Sequence, residues 1–154
     1  MAHPRRARRY NPAIMDTRDA THCPLCDPRG DRIVWQDARC RVILVLEPDY
    51  PGYCRVVWKD HIVEMSDLSA ADRRHLMDVV FATEAALREL MTPDKINLAS
   101  LGNLVPHLHW HVIPRHRDDR HYPQPIWGTP ERTPTLRAEP DERALGEAIV
   151  RHLS

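Results

Sequence analysis

The sequence predicts an α+β fold built from antiparallel strands, one long helix and a short C-terminal helix. Three observations predict it. Short runs rich in Val, Ile and Trp, separated by turn residues, occupy positions 32 to 58. Apolar residues recur at helical spacing from Leu76 to Leu90. The stretch Pro106 to Pro114 then alternates His107, His109 and His111 with Leu108, Trp110 and Val112. Successive side chains of a strand point to opposite faces, so the imidazoles share one face and the apolar residues face a core.

Length, composition and charge bound the reading before any element is placed. A chain of 154 residues is long enough for one domain with a real core, and 42% hydrophobic and 29% charged residues are ordinary for a globular protein. The formal net charge of zero argues against nucleic acid as a partner of the whole domain. Arg5, Arg6, Arg8 and Arg9 form a basic N-terminal arm over 1–20, with one short helical turn at most. The arm lacks the apolar segment of a secretory signal. No run approaches the roughly 20 apolar residues of a membrane span. Four cysteines without an export signal predict reduced thiols and a cytoplasmic location.

The elements follow in order. His22-Cys23-Pro24-Leu25-Cys26 carries a C-x-x-C pair, which is half of a zinc site, a redox pair or a coincidence. Asp27 to Asp31 is a turn, Arg32 to Gln36 a strand, Asp37 to Arg39 a turn, and Cys40 to Leu46 a second strand. A loop with two prolines and a glycine precedes a third strand, Tyr53 to Trp58. Short turns between them predict an antiparallel meander. Ser69 is placed to cap a helix, with Asp72 near the positive end of its dipole. Leu76, Val80, Thr83, Leu87 and Leu90 form its buried stripe, and Pro93 stops it near Met91-Thr92. Ile96 to Leu101 and Val105 to Ile113 read as strands joined by a Gly102-Asn103 hairpin turn. The hairpin brings Asn97 and Gly102 toward the histidine face. Arg115 and Arg117 follow in a charged loop and are candidate phosphate clamps, with a solvated loop as the alternative. Five prolines make 122–140 irregular, with Ile126-Trp127 as its apolar anchor. Asp141 to Leu153 forms a short helix with Leu145, Ile149 and Leu153 on one face.

The run His107-Leu-His109-Trp-His111-Val-Ile resembles the signature of the histidine triad (HIT) family. Leu101 to Pro106 before it, Pro114-Arg115 after it, Lys59-Asp60-His61-Ile62 and the early Cys23-x-x-Cys26 resemble that family too. The likeness covers roughly 20–128 and is nearest to bacterial members similar to diadenosine polyphosphate hydrolases. It divides the chain into the arm (1–20), a HIT domain (21–128) and a proline-rich segment with a short helix (129–154). It implies a five-stranded antiparallel sheet with a long helix, and a homodimer, for which the exposed sheet edge and Ile126-Trp127 also speak.

The resemblance further implies nucleotidyl transfer or hydrolysis at an α-phosphate of an AMP- or GMP-linked small molecule. His109 would be the nucleophile and form a covalent nucleotidyl-imidazole. His111 would donate to a non-bridging oxygen and His107 would orient its neighbour. Asn97, Gly102 and Asn103 would meet the substrate. No cofactor is required for that chemistry. Cys23, Cys26, His61 and His107 match the ligands of a structural zinc found in some bacterial members. Two positions depart from the family. Tyr53 stands where a fourth histidine is common, and a phenol is no cation at pH 7. Leu104 stands where a Ser or Thr is common, which slows protonation of a poor leaving group such as an amine. Trp35 and Ile33 are candidates for a base pocket. Two other readings compete. One is a nucleotide-binding or adaptor protein with weak catalysis. The other is a zinc hydrolase using His107, His109 and His111 as ligands, which their spread of about 13 Å along a flat strand disfavours.

Overall fold

The computed structural model describes residues 20–154; the basic arm lies outside the described residues except for Ala20. The strands are β1 (Arg32–Gln36), β2 (Cys40–Leu44), β3 (Cys54–Trp58), β4 (Lys95–Ala99) and β5 (His109–Arg115). The helices are α1 (Ala70–Met91) and α2 (Glu142–Leu153). All five strands join one antiparallel sheet in the order β1-β2-β3-β5-β4. The α+β expectation and the element order therefore hold.

Alternation along the strands separates two faces. Val42, Leu44, Cys54, Val56, Trp58 and Val112 point to one face and are buried under α1 and α2. Each fully buried Val or Leu there contributes about 1.5–3 kcal/mol relative to exposure. Ser69 caps α1: its hydroxyl accepts the Asp72 N–H at 3.1 Å and donates to the Asp72 carboxylate at 2.7 Å. Thr92, at φ 45°, closes the other end before Pro93. The buried face of α1 includes Leu76, Val80, Thr83 and Leu87 as expected, but Leu90 is exposed at 38%. Asp141 caps α2 through the Ala144 N–H. Gly146 lets α2 approach β1 closely, since a Cβ there would stand 2.4 Å from the Val34 carbonyl oxygen.

Two segments cover the other face and leave a gap between them. On one side Cys23 and Leu25 pack on Ile43 and Val57. Arg41 pins this segment down, donating to Asp31 at 2.9 Å and to the Leu25 carbonyl at 2.9 Å. On the other side Tyr50, Tyr53 and Ile113 form a cluster joined by Ile126.

The structure corrects one junction. β4 and β5 pair as expected, but residues 100–108 connect them as a nine-residue loop, not a two-residue turn. His107 and Leu108 thus precede the strand. The His107 N–H donates to the Val105 carbonyl and the Leu108 N–H to the Ile62 carbonyl, while the Leu108 carbonyl accepts the Trp58 N–H at 3.1 Å. Among the described residues no helix is long and apolar enough to cross a membrane.

Candidate active site

The gap on the second face is a cavity of about 300 Å³. Arg55, His109 and His111 form its floor, Leu101 to Val105 one wall, and Leu25 and Trp127 its two flanks. Strand pairing explains the floor: Arg55 is the register partner of His111, and Val57 that of His109. Gly102 lines the wall at φ +73°, a conformation other residues avoid.

The three histidines have different environments. His109 places Nδ1 2.6 Å from the backbone carbonyl of His107. A carbonyl only accepts, so Nδ1 carries the proton and Nε2 carries the lone pair. Burial lowers the pKa of His109 against the opposing pull of that hydrogen bond, and the Arg55 charge lowers it further. The ring is therefore a neutral imidazole with an available nitrogen.

His111 meets His109 edge to face, with ring centres 4.7 Å apart. Its Nδ1 lies 2.5 Å from the Tyr53 hydroxyl. Burial, then His109 and Arg55, push its pKa down to about 3. Burial raises the pKa of Tyr53 despite the nearby Arg55, so the phenol keeps its proton. That proton donates to Nδ1 of neutral His111 and leaves an N–H at Nε2. Tyr53 thus stands behind His111 and does not line the cavity.

His107 turns away from the other two. It is 1% exposed, and Nε2 donates to the Trp58 carbonyl at 2.6 Å. Burial lowers its pKa more than that bond raises it. Its Nδ1 then faces Cys23 Sγ at 3.4 Å and Cys26 Sγ at 3.5 Å, while Cys26 Sγ lies 3.3 Å from His61 Nδ1. The four donor atoms lie within 4.8 Å of one another. A tetrahedral zinc with ordinary Zn–S and Zn–N bonds needs S···N edges of about 3.5 Å. The residues fit such an ion. His109 and His111 belong to no metal-ligand group among the described residues, so the three histidines do not converge on one point. The grouping of Asp37, Cys40 and His75 is satisfied as it stands. Asp37 accepts the Arg39 and Cys40 N–H groups at 2.8 Å each and the His75 ring N–H at 2.6 Å.

The remaining expected site residues divide. Gly102 and Asn103 line the cavity, as does Leu104. Arg115 does not reach it and is no phosphate clamp: it is 2% exposed and fully engaged. It donates to Asp119 at 2.7 and 3.0 Å, to Asn97 Oδ1 at 2.6 Å and to the Gln124 carbonyl at 2.8 Å. Asn97 is thereby held by Arg115 and lines a neighbouring groove. Arg117 pairs with Asp94 at the surface. Ile33 packs with Leu25 and Ile43 and Trp35 against the main core, and neither lines the cavity. Trp127, expected only as an anchor, lies edge-on to His111 at 5.2 Å. Arg55 and Leu25 were not singled out from sequence. The signal for Arg55 was a lone charge inside an apolar strand.

Comparison with known proteins agrees with this architecture. Residues 29–118 match the family model described as the HIT domain. The chain resembles the crystal structure of a histidine triad protein from Bradyrhizobium japonicum at 28% identity, covering 82% of this chain and 92% of that one, with a TM-score of 0.65. A histidine triad protein from Marinobacter aquaeolei is 27% identical over 80% of this chain and 88% of its own, with a TM-score of 0.62. A curated relative, the asymmetrical bis(5'-nucleosyl)-tetraphosphatase of Schizosaccharomyces pombe, is 23% identical over 97 residues, 60% of this chain. The match spans 53% of that protein, about half its length. With the family model covering more than half of the sequence and the fold shared with those structures, the chain belongs to the HIT domain family.

Proposed function

We propose that this protein is a nucleotide hydrolase or nucleotidyl transferase that acts at the α-phosphate through a covalent intermediate on His109. The observation that carries the reading is the Nδ1 hydrogen bond of His109 to the His107 carbonyl. It commits the ring proton to the backbone and leaves Nε2 with a free lone pair on the cavity floor. The relative that hydrolyses dinucleoside tetraphosphates supports the substrate class, a nucleotide phosphoanhydride or phosphoramidate.

In the first step Nε2 attacks the α-phosphorus and the bond to the bridging atom breaks with its electron pair; a bridging oxygen leaves as the phosphate anion, and a bridging nitrogen takes a proton from water and leaves as the amine. The imidazole becomes cationic as the P–N bond forms. The His107 carbonyl then receives a stronger hydrogen bond from Nδ1, which stabilises that charge. His111 donates from Nε2 to a non-bridging oxygen, where negative charge concentrates. In the second step water attacks the same phosphorus, the P–N bond breaks back to neutral imidazole, and the water proton is released. Two easier displacements replace one difficult one.

We also propose a structural zinc on Cys23, Cys26, His61 and His107. It would tie the N-terminal segment to the sheet and hold the His107 backbone in place beneath His109. A homodimer remains the expected assembly, and light scattering of the purified protein tests it.

A second reading, nucleotide binding with weak catalysis, draws on Tyr53, which supplies a neutral hydroxyl where the family commonly has a histidine. Activity on diadenosine tetraphosphate and on AMP-linked amines separates the two. Wild-type turnover that disappears in His109→Ala supports the enzyme. Measurable nucleotide binding with no turnover supports the binding protein. Turnover that survives His109→Ala and is lost to a chelator assigns the chemistry to a metal.

A further inference from the structure

Three arginines point to the histidine face of the sheet. Arg41 lies on β2, Arg55 on β3 beside His111, and Arg115 on β5; of the three, Arg55 lines the cavity. Arg41 and Arg115 are each satisfied from within the protein by one aspartate and one backbone carbonyl. Arg41 has Asp31 and Leu25; Arg115 has Asp119 and Gln124, with Asn97 in addition. Arg55 differs. Its Nε is buried and makes no hydrogen bond. Its guanidinium carbon lies 5.7 Å from the centre of the Tyr53 ring, near enough for hydrogen bonding and charge to oppose the effect of burial on the phenol, yet the Nε stays unpartnered.

A buried donor without a partner is costly, and more so when it carries charge. Such a group is stable only with a partner or where function retains it. Among the described residues that line the cavity, Arg55 is the one that is an Arg, Lys, Asp or Glu, and a guanidinium keeps its charge at any physiological pH. The other walls are Leu25, Leu101, Leu104, Val105 and Trp127, with Gly102 and Asn103. The cavity thus has largely apolar walls and, among the described residues, one permanent cation on its floor, adjacent to the candidate nucleophile. The guanidinium fork matches two oxygens of a phosphate.

We infer that Arg55 is the anion receptor of this cavity, binding the non-bridging oxygens of the phosphate presented to His109. It makes the site select phosphate-bearing nucleotides over uncharged nucleosides. The inference rests on the cavity being the nucleotide site proposed above. It also accounts for the Tyr53 departure. A fixed guanidinium supplies the positive charge that a phenol cannot, and Tyr53 is left to orient His111.

Calorimetric titration of AMP and of adenosine tests it, using wild type, Arg55→Met and Arg55→Lys. Arg55→Met keeps the aliphatic stem beside Tyr53 and removes the fork. A charge-assisted bond of ordinary strength predicts AMP weakened about 10- to 100-fold in Arg55→Met. Adenosine affinity stays within about twofold, since the uncharged ligand does not use the cation. Arg55→Lys recovers part of the AMP affinity. Inorganic phosphate competes with AMP on the wild-type protein, a measurement that stands even where a variant folds poorly. Equal loss of AMP and adenosine, unchanged AMP affinity in Arg55→Met, or no competition by phosphate each overturns the inference. The proposed enzyme function fails separately. Arg55-dependent AMP binding without hydrolysis of diadenosine tetraphosphate refutes the activity and supports the receptor. Hydrolysis with Arg55-independent AMP binding refutes the receptor and leaves the activity standing.

Discussion

The hydroxyl of Tyr53 stands 2.5 Å from Nδ1 of His111 and sets which ring nitrogen of that histidine carries the proton. The phenol, kept protonated by burial, is the donor. Tyr53→Phe removes the donor and frees His111 to adopt the other tautomer. A lost positioning bond of this kind predicts a kcat fall of about tenfold or more with little change in KM. Tyr53→His restores a ring that can donate, and recovers kcat in part. Steady-state kinetics on diadenosine tetraphosphate check both.

His111 also couples folding to pH. Its folded-state pKa lies near 3, while in the unfolded chain it returns to about 6.5. The unfolded state therefore binds the proton first. The stability that His111 contributes is complete above 6.5 and is lost as pH falls toward 3. His111→Gln removes this titration. Across that window wild type should lose stability relative to the variant, as read from urea midpoints. A constant difference would contradict the assignment.

Asp119 and Arg115 form a buried pair, with side chains 5% and 2% exposed. Burial raises the Asp119 pKa, but Arg115 and the N–H groups of His121 and Tyr122 outweigh it and hold the carboxyl below its usual range. Asp119→Ala strands the guanidinium, at a cost of about 3–5 kcal/mol. Arg115→Met strands the Asp119 carboxylate in turn, but the N–H groups of His116, His121 and Tyr122 still bond it, so this change should cost less. Thermal and denaturant unfolding distinguish them.

Zinc analysis of the purified protein should give one equivalent. Cys23→Ser or Cys26→Ser should lower both the zinc content and the melting temperature, because metal affinity here adds to folding free energy. Wild-type protein without stoichiometric zinc would contradict the proposal.

Much of the fold was legible because local chemistry and global packing agree in it. Ser69 and Asp141 cap the helices they precede, and the alternation in β3 and β5 sorts core from site. The limits lay where a contact distant in sequence decides. His107 has strand spacing, yet Trp58 and the cysteine segment capture its ring from 49 and 81 or more residues away. The Gly102-Asn103 pair signals a turn, yet the chain uses it inside a longer loop that walls the cavity. Arg115 and Arg55 look alike in sequence. Only the position of Asp119 on a following loop assigns Arg115 to structure, and only strand register places Arg55 beside His111.

The nucleotidyl-His109 intermediate is tested most directly by the stereochemistry at phosphorus. A dinucleoside polyphosphate made chiral at the α-position with sulfur and an oxygen isotope, hydrolysed in isotopically labelled water, reports how many displacements occur. Two in-line displacements, first by His109 and then by water, predict overall retention. Inversion would mean that water attacks in a single step, and would contradict a nucleophilic role for His109.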